Sequence, residues 1–394
     1  MKKILLLTPR FPFPVIGGDK LRIYNIAKYL SAYYRITLVS LYSTDEEERS
    51  VAEDGLFERV YKIKQPGYLS GLNAMKNLIA GDSLQSGYFY NRKMLSLVKK
   101  LAPEHDMLFS HLIRTASYVK DIRDMPKVCE MTDAISQNYK HAKTAGNRSL
   151  KKYIYSFEQK RCLEYEIECL RHFERSVLVS DHDRDYLRKY APTFSDRIRV
   201  IPNGVDYERL SAQPAEFQRG KIVFIGNMRT VQNADAAYYF ARDIFRKIKA
   251  EYPDSTFWII GADPTPAVKS LSKIAGVNVV GKVNDILSYA HDAMVSVCPI
   301  RIGAGVQNKI LESMAMGVPV VTSSLGLLGL QAMDMQDILV ADTPDEFCSK
   351  IYKIYNDASL SERIKKNARS CITKNYSWDK IMASYKNLID EIMQ

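Results

Sequence analysis

Apolar residues in this chain fall in short, nearly unbroken runs. Longer stretches between them carry apolar and polar positions at helical spacing. Short runs of aliphatic and β-branched residues read as strands and amphipathic stretches as helices. Their regular alternation is that of an α/β sheet with helices on both faces. In the first half the runs predict strands over 4–7, 36–41, 59–61, 107–110, 128–131, 176–179 and 198–201. The pattern then restarts, with strands predicted over 222–225, 257–260, 277–280, 295–297, 320–322 and 338–340. Most of these runs are too apolar for edge strands and fit parallel strands buried on both faces. A polar, turn-rich stretch over 202–220 reads as the linker between the two series. The spacing also predicts a long charged helix over 150–175. A final helix follows over 378–393, in which Trp378, Ile381, Met382, Tyr385, Leu388, Ile389 and Ile392 form one core-facing stripe. Two doubly wound domains are expected, with ligands outside the carboxyl ends of the strands.

The length of 394 residues agrees with two domains. A content of 46% hydrophobic and 26% charged positions is that of an ordinary globular chain. No apolar run approaches the ~20 residues of a membrane helix. Met1, Lys2 and Lys3 with the run 4–7 look briefly like an export signal, but the apolar stretch is too short. The expected location is the cytoplasm. The six cysteines form no CxxC pair, which argues against a zinc site, and in the cytoplasm they are expected as reduced thiols. The net charge of +11 is uneven. Residues 1–200 hold 34 basic and 24 acidic side chains, and residues 201–394 hold 22 and 21.

Two loops stand out for chemistry. The first strand runs through a proline-rich turn into Gly17, Gly18, Asp19 and Lys20 at a helix start. Glycine lets backbone amides approach a ligand, and a helix N-terminus favours anions, so a nucleotide phosphate fits as well as a plain strand-to-helix turn. GxGxxG spacing is absent, and no Gly-Lys-Ser/Thr follows. After the strand over 295–297, Gly303 and Gly305 open a helix on which Lys309 and Glu312 share a face. There the lysine can pair with a phosphate and the carboxylate can accept two ribose hydroxyls. His111 and Asp133 each follow a strand of the first half. Either can be structural, and Asp133 can be a helix cap. His182 sits in a run that reads as a helix N-cap. No HExxH or GxSxG occurs.

The run 303–322, with 200–206 and 224–228, resembles the family 4 retaining glycosyltransferases. The segment 12–22 is similar to the subgroup associated with bacterial exopolysaccharide operons. The resemblance implies a GT-B fold: two Rossmann-like domains facing each other across a cleft, with the last helix returning to the first. It implies an acceptor-side domain over 1–205 plus 378–394, and a nucleotide-sugar domain over 206–377. It further implies a metal-independent hexosyltransferase that needs no cofactor beyond its UDP- or GDP-sugar donor. Glu312 falls on the ribose-binding carboxylate, Gly17 and Gly18 on the diphosphate loop, and Gly303 and Gly305 on the donor-helix loop. Lys20 and Gly226 belong to the same donor-side set. Ala304 stands where many relatives carry a second glutamate, and Asn227 where many carry arginine, so Arg229 or Lys309 supplies the phosphate charge. Thr132 stands where many have a histidine, which makes Asp133 the better catalytic candidate, with His111 as its neighbour.

Residues 56–103 hold eight basic and two acidic side chains interleaved with aromatics. Next to an acceptor domain this points to the inner face of an anionic membrane, and not to nucleic acid. The acceptor is expected to be a glycan or a lipid-diphosphate-linked glycan in bacterial surface polysaccharide synthesis. A sugar-nucleotide epimerase, or a degenerate member acting as an assembly scaffold, are the alternative readings.

Overall fold

A computed structural model describes residues 1–80, 82–144, 151–211, 217–302 and 305–394. The chain forms two compact units, 1–203 with 379–394, and 204–378. The first carries β1 (Lys3–Thr8), β2 (Arg35–Tyr42), β3 (Arg59–Lys64), β4 (Met107–His111), β5 (Lys127–Thr132), β6 (Arg175–Leu178) and β7 (Ile198–Val200). The second carries β8 (Gln218–Ile225), β9 (Thr256–Ile260), β10 (Val277–Gly281), β11 (Ala293–Cys298), β12 (Val320–Thr322) and β13 (Leu339–Val340).

In the first unit the strand order is β3-β2-β1-β4-β5-β6-β7, every pair parallel, with Ile4 level with Ile36 on one side and Met107 on the other. The order reverses beside β1, so the turn after β1 and the end of β4 lie where such sheets hold ligands. β1, β4 and β5 are buried because their residues are apolar on both faces. Leu5, Leu7, Leu108 and Cys129 pack in one core with Leu170 and Phe173. The edge strand β3 instead exposes Val60 and Lys64. The last helix, Trp378–Met393, buries Ile381, Met382, Tyr385, Leu388 and Ile389 of the stripe read from spacing, while its end members Trp378 and Ile392 are half-buried. Tyr34 donates to Asp390 at 2.5 Å, and the Lys2 ammonium donates to the Met393 carbonyl at 2.6 Å.

In the second unit the order is β10-β9-β8-β11-β12-β13, again all parallel. Ile222, Phe224, Phe257, Ile259, Val295 and Val297 build its core with Phe240, Phe245 and Phe347. Both units are thus Rossmann-like, as the restarting pattern predicted. β8 begins four positions before its apolar run, because Gln218, Arg219 and Lys221 are polar and carry no strand signal. The charged helix spans Lys151–His172, and Leu150 lies outside the described residues. All six cysteines are buried thiols. No helix among the described residues is long and apolar enough to cross a membrane.

Candidate functional site

In the second unit the carboxyl end of β8 runs into Gly226, which is held against the end of β9. A Cβ on Gly261, whose φ is +149°, would lie 1.8 Å from the Gly226 carbonyl oxygen, and a Cβ on Gly226 would lie 2.7 Å from the Asn233 amide nitrogen. Only glycine at both positions allows this approach. Asn233 is buried and works both ways: its Nδ2 donates to the Asn227 carbonyl at 2.9 Å, and its Oδ1 accepts from the Lys309 ammonium at 2.5 Å. Lys309 also lies over the Phe224 ring, 5.2 Å from the centroid. Burial pulls this lysine below its ordinary range.

Lys309 and Glu312 stand on the helix Asn308–Met316. Its N-cap, Gln307, makes no side-chain capping bond, its carbonyl accepts from the Ile310 amide at 2.9 Å, and the start of such a helix favours an anion. The helix ends at Gly317 in the left-handed region, where a Cβ would collide with the Arg369 guanidinium. Gly305, at φ +94°, shapes the turn before the helix, and its carbonyl accepts from Gln307. Burial pushes the Glu312 carboxyl up to about 7, against the opposing charges of Arg209 and Lys309. Arg229 is exposed beyond the β8 turn, its backbone amide bonded to Asn227 Oδ1. Gly226, Arg229, Lys309 and Glu312 all follow β8 or β11, neighbours at the point where strand order reverses. Gly303 and Ala304 lie outside the described residues.

In the first unit the turn after β1 is made rigid by aromatic packing. Phe11 and Phe13 have centroids 5.7 Å apart, and Phe13 meets Tyr24 edge-on at 5.8 Å. Gly17, at φ +101°, then lets Gly18 open the helix Gly18–Leu30. Lys20 has a partner of its own: its ammonium meets the nearly buried Glu47 carboxylate at 2.8 Å. That pairing ties this helix to Glu47.

His111 ends β4 and is buried, its Nδ1 2.6 Å from Glu130 Oε2. Glu130 also meets the Arg22 guanidinium at 2.8 Å. Arg22 has every remaining hydrogen-bond direction filled, by the carbonyls of Ile201 and Pro202, Asn203 Oδ1 and the Tyr385 hydroxyl. Burial alone would raise the Glu130 carboxyl, but Arg22 and His111 overcome it and hold it at about 2. Thr132 completes the set by donating to Glu130 at 3.0 Å. Thr132 and Leu112 follow adjacent strand ends at φ +67° and +63°. For a β-branched residue that geometry costs roughly 1–3 kcal/mol, a strain that collects at functional sites. Beside them Asp133 is half-buried. Desolvation, with Asp183 and Glu130 close by, pushes its carboxyl up to about 7. Ser180 caps the helix Asp181–Tyr190 as its run suggested, and His182 lies against the Gln137 amide.

The structure therefore brings Asp133 and His111 to neighbouring strand ends, and Lys309 and Glu312 to one helix. It adds residues to which the sequence reading gave no part in a site: Arg22, Glu130, Asn203, Asn233 and Tyr385, the last read only as core. Glu130 left one signal, a charge inside the otherwise apolar run 128–131, which demands a buried partner. Among the described residues no group of three His, Cys, Asp or Glu side chains is placed to hold a metal ion.

Comparison with known proteins adds to this. Residues 16–209 match the family model Glycosyltransferase Family 4, and residues 219–357 match Glycosyl transferases group 1. An uncharacterized 44.6 kDa protein in the cps region of Klebsiella pneumoniae is 21% identical over 399 residues, covering 98% of this chain and 99% of its own. Sucrose-phosphate synthase from Thermosynechococcus elongatus superposes with a TM-score of 0.73 at 14% identity, over 99% of each chain. Anabaena HepE in complex with UDP gives 0.72 at 15% identity, over 99% of this chain and 100% of that one. HepE in complex with UDP-glucose gives 0.69 at 14%, with the same coverage. At such identities these likenesses concern the fold.

Proposed function

The chain belongs to the group 1 and family 4 glycosyltransferases, and from that premise we propose that it is a retaining, metal-independent enzyme. It moves a sugar from a UDP- or GDP-sugar onto a glycan or lipid-linked glycan in bacterial surface polysaccharide synthesis. The observation that carries the reading is the helix Asn308–Met316, whose N-cap makes no side-chain capping bond and which bears Lys309 and Glu312 three positions apart on one face. The Glu312 carboxylate accepts the two ribose hydroxyls of the donor. The amides and Lys309 face the diphosphate, and their fixed charges stabilise the negative charge that grows as the glycosidic bond breaks. A fold neighbour in complex with UDP and UDP-glucose favours uridine among the bases. The cps-region relative favours surface polysaccharide as the product.

On the acceptor side, a carboxyl near 7 such as Asp133 is suited to take a proton from an attacking hydroxyl. His111, enclosed and bonded to Glu130, is a positioning residue that holds the β4 and β5 ends together.

Ligand-observed NMR against nucleotides and nucleotide sugars tests the proposal. Binding of UDP or GDP and their sugars, weakened in Glu312→Ala, is the expected result. Binding to none of them would move the chain to the scaffold reading.

A further inference from the structure

The helix Gly67–Ala80 is built the wrong way round for a surface helix. Its exposed stripe is apolar: Tyr68 is 70% exposed, Leu72 56%, Met75 60% and Ile79 84%, at the i, i+4, i+7, i+11 spacing that normally faces a core. The face turned to the protein is polar and fully engaged. Ser70 is buried and accepts from Gln65. Asn73 donates to the Tyr90 carbonyl at 2.8 Å, and Asn77 donates to the Ser83 carbonyl and the Ser86 hydroxyl, each at 3.0 Å. Gly87 packs so close that a Cβ there would lie 2.8 Å from the Asn73 carbonyl oxygen. Arg161 bonds the Leu78 carbonyl near the helix end. The helix cannot roll to hide its apolar stripe without breaking these bonds, so the stripe stays in water until something apolar meets it.

Charge indicates what meets it. The Tyr90 carbonyl that anchors this helix lies next to Asn91, the N-cap of the helix Arg92–Leu101. That second helix exposes Arg92, Lys93, Lys99 and Lys100. Across residues 64–100 six basic side chains face one acid, Asp82. An apolar stripe with a cationic flank matches acyl chains beneath anionic headgroups. A second copy of the chain would present the same positive charge and be repelled.

We propose that the outer face of Gly67–Ala80 docks on an anionic phospholipid leaflet: Tyr68, Leu72, Met75 and Ile79 enter the headgroup boundary, and the helix Arg92–Leu101 steers the approach.

Sedimentation with phosphatidylglycerol/phosphatidylcholine vesicles and with pure phosphatidylcholine vesicles tests it. UDP affinity is measured in parallel, so that loss of donor binding is read separately. The wild type should bind the anionic vesicles more tightly, with affinity falling as salt rises. The Leu72→Ser/Met75→Ser/Ile79→Ser variant should lose about tenfold or more of that affinity while keeping its melting temperature and its nucleotide binding. Lys93→Ala/Lys100→Ala should weaken anionic binding and leave any binding to pure phosphatidylcholine unchanged. Wild-type binding to neither vesicle, equal binding by the triple variant, or self-association that depends on the stripe without vesicle binding would each overturn the proposal.

Discussion

Two strand ends, one in each unit, reach comparable chemistry by opposite routes. In the second unit the charged pair sits on a single nine-residue helix, and from outside that helix Lys309 is met by the neutral amide of Asn233 and the Phe224 ring. In the first unit Glu130 is held by Arg22, 108 positions earlier, and Arg22 by Tyr385, 363 positions later. The local construction leaves Glu312 with no hydrogen-bonded cation among the described residues and its carboxyl near 7, ready for hydroxyl donors. The dispersed construction compensates Glu130 fully and leaves only Asp133 beside it unsettled. Charge that must react or bind is kept under-compensated, and charge that must hold strands together is saturated.

Four experiments press on that contrast. The largest effect is expected from Asp133→Asn, which should lower kcat by about 10²- to 10⁴-fold, the usual worth of an acid–base group, while UDP affinity stays unchanged. Equal loss of both would place Asp133 in folding instead. Next, Arg22→Ala should cost about 3–5 kcal/mol in chemical denaturation, because it strands a buried carboxylate. A change under ~1 kcal/mol would show that Glu130 is not held as described.

Glu312→Ala should weaken UDP binding in calorimetry by about 1.5–3 kcal/mol, the worth of a hydrogen bond to a charged group, with no loss of stability. The sign for stability is positive. The folded chain binds the Glu312 proton more tightly than the unfolded one, so this carboxyl lowers stability as pH rises from the ordinary carboxylate range to about 7. Its removal should raise the melting temperature at alkaline pH. The smallest effect is that of pH on donor binding. UDP-glucose affinity should rise about tenfold between roughly pH 6 and 8 as a carboxyl near 7 ionises, and Glu312→Gln should flatten the profile. A slope that survives in the variant would assign the titration to another group.

The same contrast explains what could be read from sequence. The thirteen strands of the described residues were legible, most of them because parallel strands covered on both faces are continuous apolar runs, while the edge strand β3 showed only a short mixed run. Lys309 and Glu312 were legible because three positions on a helix is a local relation. The Arg22–Glu130–Tyr385 set was not, since residues so far apart meet only once the sheet is built. The Lys20–Glu47 pair was not legible either, because Glu47 belongs to a different helix, Asp45–Arg49. The stripe of Tyr68, Leu72, Met75 and Ile79 carries the spacing of a core face. Its exposure in the fold, fixed by the hydrogen bonds of Asn73 and Asn77 on the opposite face, shows that it points outward.

The docking of the last helix onto the first unit also sets an order of events during synthesis. Arg22 leaves the ribosome 363 residues ahead of Tyr385, whose hydroxyl completes its shell. The first unit must therefore wait, its buried guanidinium still partly hydrated, while the whole second unit is translated. At about 5–20 residues per second that is a delay of roughly 10–40 s. The first unit is begun before the second and completed after it, so a nascent chain stalled before residue 385 should remain protease-sensitive in a region that was translated long before.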